Sequence, residues 1–258
     1  MSDRRVPAGP YGHVDTLPSE RLLEVSDLCA GYGSSRVLDA VSFSMGVESV
    51  AIIGRNGMGK STLCNTVMGL VPTTSGRAVL AGHNLSGRQP ERIAQAGIAY
   101  VPQGRRLFPA LTVDEHITML AKQARGKRWT PAAVLDLFPR LAQRRRSRAG
   151  DLSGGEQQML SVARALLLNG SLVMMDEPSE GLAPTIVDTL IEAVRRLVDE
   201  GVAVLVVEQN LYAATQMAER VLVMVAGRIE VETTATTLLD DPVLQRRYLG
   251  VDTIEEGT

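Results

Sequence analysis

Gly54-Arg55-Asn56-Gly57-Met58-Gly59-Lys60-Ser61 follows the apolar run Ser49-Val50-Ala51-Ile52-Ile53 and precedes a helical stretch, Ser61 to Met68. The spacing G-x-x-x-x-G-K-S between a buried strand and a helix is that of a phosphate-binding loop. Glycine lets the backbone turn its N–H groups inward without a Cβ clash. Those donors and the helix N-terminus then converge on phosphate oxygens. Lys60 would reach the β- and γ-phosphates as a point charge, and the Ser61 hydroxyl would ligate Mg2+. The candidate nucleotide-binding set is Gly54, Arg55, Asn56, Gly57, Met58, Gly59, Lys60, Ser61 and Thr62. The bland alternative, a glycine-rich turn before a helix, leaves Lys60 unexplained. The chain has three lysines, Lys60, Lys122 and Lys127, while the other 24 of its 27 basic residues are arginine.

A phosphate loop alone does not separate kinases, GTPases and ATPases. No NKxD-like sequence for reading guanine is present, which disfavours a GTPase. Tyr32, in Gly31-Tyr32-Gly33, lies after the first strand and is a candidate to stack on an adenine face. Taken alone, such a tyrosine is more often ordinary packing.

Outward from the loop, Leu22 to Leu28 and Val41 to Met45 alternate apolar and polar residues, as half-buried strands do. With Arg77 to Ala81 they suggest antiparallel sheet near the front of the chain. Leu172 to Met175 and Val202 to Val207 are continuous apolar runs, like Ser49 to Ile53. Such runs fit central strands of a parallel sheet covered on both faces. Thr185 to Val198 carries an apolar stripe at helical period, with Pro184 at its start and Gly201 past its end. Alternating strand and helix implies βαβ units and a doubly wound sheet. Leu111 to Leu168 shows no strand pattern and reads as a helical insertion, with helices at Val113 to Lys122 and Ala132 to Phe138. The run Arg144-Arg145-Arg146-Ser147-Arg148 reads as a solvated loop, with phosphate or partner contact as the alternative.

Composition works mainly by exclusion. The chain has 258 residues, 45% apolar and 22% charged, with a formal net charge of −2. That balance does not suggest a nucleic-acid-binding face. Cys29 and Cys64 form no metal spacing and read as reduced, part-buried thiols. His13, His83 and His116 are scattered, which argues against zinc. No apolar run is long enough to span a bilayer. Residues 1–20 lack an apolar stretch behind Arg4 and Arg5, so they read as a flexible tail rather than a secretory signal.

Two further strings complete a site. Ser171-Leu172-Val173-Met174-Met175-Asp176-Glu177-Pro178 puts two carboxylates at the end of a buried strand, where open α/β sheets bind ligands. Asp176 would hold the Mg2+ water shell, and Glu177 would polarise the water that attacks the γ-phosphate. Asp151-Leu152-Ser153-Gly154-Gly155-Glu156-Gln157-Gln158 has a local reading as a capping box, Ser153 with Glu156, at the start of a helix. Two glycines in that first turn weaken the helix, so something needs bare backbone there. A bound phosphate is the natural candidate. A γ-phosphate cannot readily meet two such helix N-termini from one chain. A head-to-tail dimer is therefore expected, with ATP on one protomer's Lys60 loop capped by the other's Ser153-Gly154-Gly155.

The order of phosphate loop, Gln103, LSGGE, apolar-DE and a polar residue after the next strand resembles an ABC-transporter ATPase subunit. The resemblance covers about residues 22–250. It implies that Tyr32 stacks on adenine and that Gln103, in Tyr100-Val101-Pro102-Gln103, touches Mg2+ or water and senses a membrane partner. It also implies that Ser153 to Gln158 form the signature motif, with Ser153, Gly154, Gly155 and Glu156 at the nucleotide, and that Glu177 is the catalytic carboxylate. Gln209, in Val207-Glu208-Gln209-Asn210, stands where the family usually has His, and can donate to a phosphate oxygen but not carry a proton. Ala183 stands where Asp is usual. EPSEGLAP, VEQN, GRRLFPALTV and the stretch Asp241-Pro242 to Val251 resemble the branch serving branched-chain amino-acid importers, close to urea-importer ATPases.

These readings combine into one expectation. The fold is α/β: a P-loop NTPase core with a mainly parallel sheet, an N-terminal antiparallel β-subdomain and a helical subdomain insertion at about 104–158. One ATPase domain spans 21–250, followed by a tail at 251–258. The resemblance implies an ATPase using ATP and Mg2+, with Glu177, Gln209 and Lys60 catalytic and with Ser61, Gln103 and Asp176 at the metal. The implied partners are a second ATPase subunit, permease subunits meeting Leu107, Phe108 and Leu111, and indirectly an external solute-binding protein, at the cytoplasmic face of the membrane. A non-transport ABC ATPase would be expected to carry a second cassette or a long coiled coil. A P-loop kinase gives no reason for LSGGE. A binding-only protein would not need Lys60, Asp176 and Glu177 together.

Overall fold

The computed structural model describes residues 21–122 and 128–249. The expected tails and Lys127 lie outside the described residues. The chain opens with β1 (Leu23–Tyr32) and β2 (Ser35–Met45), both longer than their alternating patterns suggested, and then β3 (Ser49–Ile53). After the phosphate loop come α1 (Lys60–Val67), β4 (Thr73–Leu80), β5 (His83–Asn84), α2 (Pro90–Ala96) and β6 (Ile98–Val101). The helical stretch holds α3 (Val113–Ala121), α4 (Pro131–Leu137), α5 (Pro139–Gln143) and α6 (Gly154–Leu166). The second half alternates β7 (Leu172–Asp176), α7 (Pro184–Asp199), β8 (Ala203–Glu208), α8 (Leu211–Met217) and β9 (Arg220–Val225), then β10 (Arg228–Thr234) and α9 (Ala235–Asp240).

The strands form two sheets. One is antiparallel, in the order β2-β1-β4-β5; the other runs β10-β9-β3-β8-β7-β6, parallel except for β10 at its edge. β3 sits centrally, with Val50 opposite Leu205 of β8 and Arg220 of β9. The phosphate loop therefore leaves the carboxyl end of a central strand. β8 shows why its sequence is continuously apolar. Ala203, Leu205 and Val207 enter the core shared with β1, β2 and α1, whereas Val204 and Val206 enter the core under α6 and α7. Both faces are covered, so neither can be polar.

α7 behaves as its pattern requires. Ile186, Val187, Leu190, Ile191, Val194 and Leu197 are buried, Pro184 opens it, and Gly201 closes it at φ 76°. A side chain would be strained in that left-handed conformation, which makes glycine a natural stop. α3 carries a complete capping box, Thr112 with Glu115. α3, α4 and α5 pack on α6 through Val113, Ile117, Val134, Phe138 and Leu141.

Three expectations need correction. Tyr32 is the last residue of β1, paired with Ser35, rather than lying in a loop beyond it. Cys29 and Cys64 are buried rather than part-buried, and burial pushes the Cys64 thiol well above its usual pKa. The sequence reading also passed over β6, β9 and β10.

Candidate active site

The loop after β3 closes on Lys60. Gly57 and Gly59 hold φ angles of 78° and 101°, which only glycine adopts without strain. A Cβ on Gly54 would lie 2.4 Å from the Met224 carbonyl oxygen. The Lys60 Nζ donates to the Gly54 and Arg55 carbonyls at 2.9 and 3.1 Å and pairs with Glu177 Oε1 at 3.1 Å. The ammonium is nearly buried, so these three acceptors replace its hydration. Met58 acts as a brace, accepting from the Gly227 and Ala226 amides at its carbonyl and sulfur.

A cavity of about 400 Å³ opens over this loop. Asn56, Gly57, Gly59, Lys60, Ser61 and Thr62 line one side, and Gln103, Glu177 and Glu180 line the other. Gly54, Arg55 and Met58 do not line it; they hold the loop's shape from behind. Tyr32 is 54% exposed and also lies outside the lining, where Val37 is found instead.

Asp176 ends β7 beneath the cavity. Its Oδ1 accepts from the Ser61 hydroxyl at 2.9 Å and its Oδ2 from the Tyr100 hydroxyl at 3.3 Å. Burial raises the carboxyl pKa above the usual range, although both hydroxyls and Lys60 pull it back. Ser61 and Asp176 therefore present adjacent oxygen donors. No group of three or more His, Cys, Asp or Glu suited to a metal occurs among the described residues. One carboxylate and one hydroxyl, completed by phosphate oxygens and water, is a donor set that fits Mg2+.

Glu177 sits at φ 48°, a strained position for a non-glycine residue, while its N–H continues the sheet by donating to the Val207 carbonyl at 2.8 Å. Gln103 Nε2 donates to Glu177 Oε2 at 3.1 Å and to Glu180 Oε2 at 2.9 Å. Gln103 thus meets carboxylates rather than Ser61 or Asp176. Sequence reasoning missed Glu180, Tyr100 and Glu208. The Glu208 side chain is buried and accepts from the backbone N–H groups of Ser179, Gln209 and Asn210. Burial raises its pKa, and those donors oppose the rise. Gln209 itself is exposed and does not line the cavity.

The string Ser153 to Glu156 opens α6, and none of its residues lines that cavity. Its capping box is complete: the Ser153 side chain accepts from the Glu156 N–H, and the Glu156 carboxylate accepts from the Ser153 N–H at 2.8 Å. The need for bare backbone has a partly internal cause. A Cβ on Gly155 would lie 2.8 Å from Ile186 Cγ1, and one on Gly154 would lie 3.1 Å from the Arg105 guanidinium. The Arg144–Arg148 run matches its solvated reading, with Arg145 paired to Asp114 and Arg144 to Glu156.

Residues 38–180, which contain the phosphate loop, the signature string and the Asp176–Glu177 pair, match the family model described as ABC transporter. The chain belongs to the ABC transporter ATPase family. This ABC ATPase is 40% identical to the high-affinity branched-chain amino acid transport ATP-binding protein BraG of Pseudomonas aeruginosa, over 89% of this chain and 100% of that protein. It is 33% identical to the probable branched-chain amino acid transport ATP-binding protein LivF of Archaeoglobus fulgidus, over 89% of this chain and 99% of the relative. Lipopolysaccharide export ATP-binding proteins LptB match at 29–31% identity. Among solved structures, the ADP conformation of MJ1267, an ATP-binding cassette of an ABC transporter, aligns with a TM-score of 0.78 and 26% identity, covering 90% of this chain and 100% of that one.

The ABC ATPase brings residues of its phosphate loop and Glu177 to one cavity, with Asp176 bonded to Ser61 of that lining. Among the described residues no helix is long and apolar enough to cross a membrane. On the helical side, Leu107 packs against the core, Leu111 is half-buried and Phe108 is 52% exposed, with Arg164 over its ring.

Proposed function

We propose that this ABC ATPase energises an importer of branched-chain amino acids. It would work in a head-to-tail dimer at the cytoplasmic face of the membrane, docked on permease subunits that receive solute from an external binding protein. The likeness to BraG over that protein's full length supports the cargo, as does the EPSEGLAP and VEQN wording of the loops. A urea or related amide importer is the alternative the same strings allow.

The chemistry follows from the cavity. The loop amides and Lys60 hold the β- and γ-phosphates, with Asn56, Gly57 and Thr62 shaping the wall. Bound Mg2+, held by Ser61, Asp176 and Gln103, would offset charge on the phosphate oxygens. Glu177 leaves Lys60 when phosphate takes its place, and its freed carboxylate accepts a proton from the attacking water. Ser153 to Glu156 of the second protomer cap the γ-phosphate, and Gln209 steadies it as a neutral donor. Tyr32, exposed at the end of β1, would cover adenine. The Lys60–Glu177 pair is the single observation that carries this hydrolytic reading.

The test is reconstitution with a permease and binding protein in vesicles. Leucine should stimulate ATP turnover and urea should not. The reverse result transfers the chain to the urea alternative, and stimulation by neither removes the importer reading.

A further inference from the structure

Glu180 belongs to no assigned role, yet it lines the phosphate cavity. It follows Glu177 in a tight turn, its N–H donating to the Glu177 carbonyl at 3.2 Å. The two carboxylates share one partner, the amide nitrogen of Gln103, at 2.9 and 3.1 Å. An ionised carboxylate accepts and cannot donate. Both partners therefore select the nitrogen end of the amide. Its oxygen, Oε1, takes no hydrogen bond from the described residues. A hard cation is bound by oxygen and not by an amide nitrogen. The orientation of this amide thus decides whether Gln103 can serve a metal at all.

We propose that Glu180 is a positioning residue that fixes the Gln103 amide with its oxygen end free for the metal that accompanies nucleotide. Glu177 makes the same contact, but its carboxylate is required elsewhere once water is to be activated. Glu180 has no such second duty and keeps the amide oriented through that step. The proposal rests on the nucleotide reading of the cavity. It adds a residue whose removal weakens coupling between metal and nucleotide without removing a phosphate contact.

The test uses the full chain and a fluorescent non-hydrolysable ATP analogue, titrated with Mg2+ and, separately, in chelator. In Glu180→Gln the side chain keeps its size but offers either amide end to Gln103. The Mg2+ concentration for half-maximal analogue binding should rise roughly 10-fold, the lower end of the cost of removing a group that orients a metal ligand. Binding in chelator should stay within about twofold of the parent, and Glu180→Asp should restore part of the Mg2+ response. In a Gln103→Ala background, Glu180→Gln should add nothing. An unchanged Mg2+ response in Glu180→Gln would overturn the proposal. So would a full effect persisting without Gln103, since Glu180 would then act on its own. If the parent protein shows no Mg2+-promoted binding of the analogue, the nucleotide reading itself fails and the proposal falls with it.

Discussion

Lys60 Nζ lies 3.1 Å from Glu177 Oε1, and the two side chains are only 3% and 9% exposed. The cation suited to phosphate is neutralised by the carboxylate suited to water. On the proposed hydrolytic reading, nucleotide would exchange one partner of Lys60 for another, and the exchange would leave a free carboxylate beside the γ-phosphate. Glu177→Gln weakens the competitor while removing the base. ATP affinity should hold or tighten by a few-fold, while hydrolysis falls by about 10²–10⁴, the usual worth of a general base. Phosphate release and equilibrium nucleotide binding check the two arms, and unchanged turnover would remove Glu177 from the mechanism.

Lys60→Ala should lower nucleotide affinity by at least roughly 100-fold, the equivalent of about 3 kcal/mol. Lys60→Arg should rescue little. The ammonium fits between two carbonyls 2.9 and 3.1 Å away, and a planar guanidinium has a different donor geometry. Nucleotide titration of both variants decides this. Full rescue by arginine would show that charge alone suffices.

The signature string has two candidate reasons for its glycines, and they separate experimentally. Gly155→Ala drives a methyl into Ile186, whose Cγ1 would be 2.8 Å away. It should cost about 1–3 kcal/mol in urea unfolding, as overpacking does. Ile186→Ala in the same chain should relieve that cost. Ser153→Arg should leave ATP binding to the single protomer intact but prevent an ATP-driven dimer, read by light scattering. A normal dimer from Ser153→Arg would refute the capping role.

Glu208 and Gln209 are neighbours with different jobs. Glu208 accepts three backbone N–H groups with no exposed surface to spare. Glu208→Gln turns one accepting oxygen into a donor facing those N–H groups. It should destabilise the chain by about 1.5–3 kcal/mol, the range for hydrogen bonds to a charged group. Gln209→Ala, at an exposed position, should leave stability unchanged and slow hydrolysis less than Glu177→Gln does. Urea midpoints and turnover of the two variants test the division, and equal losses of turnover for Gln209→Ala and Glu177→Gln would overturn it.

Those neighbours also show what the sequence could convey. The core strands were legible because burial on both faces demands unbroken apolar runs, as in Val202 to Val207. The phosphate loop was legible because its chemistry requires glycine and lysine at fixed spacing. Glu208 was hidden because its partners are backbone amides of a loop, which carry no side-chain signature. Glu180 was hidden for a related reason: its partner, Gln103, is 77 residues away in the chain. β6 and β9 escaped because each is a short apolar run that also fits a buried helix segment. The glycines of the signature string were legible as a demand for bare backbone, but Ile186 and Arg105 reach them only through tertiary packing.

His116 supplies a pH test on the helical side. It is fully buried, its Nε2–H donates to the Phe108 carbonyl at 3.1 Å, and its Nδ1 has no partner. Burial lowers its pKa from 6.5, and Arg164 adds to the fall, while the Phe108 bond and Glu115 oppose it. The unfolded chain therefore binds the extra proton first as pH drops. The neutral imidazole's contribution to stability is fully present above about pH 6.5 and is lost as pH falls below it, with a slope of at most about 1.4 kcal/mol per pH unit. His116→Gln removes that titration but also loses packing, so it should be less stable than the parent at about pH 7.5. The gap should narrow at about pH 5.5. Urea unfolding at the two pH values measures it. A gap of constant size would mean that His116 does not titrate in this window. A narrowing gap would identify the His116 imidazole, stacked on the Phe108 ring, as the group that takes up the proton.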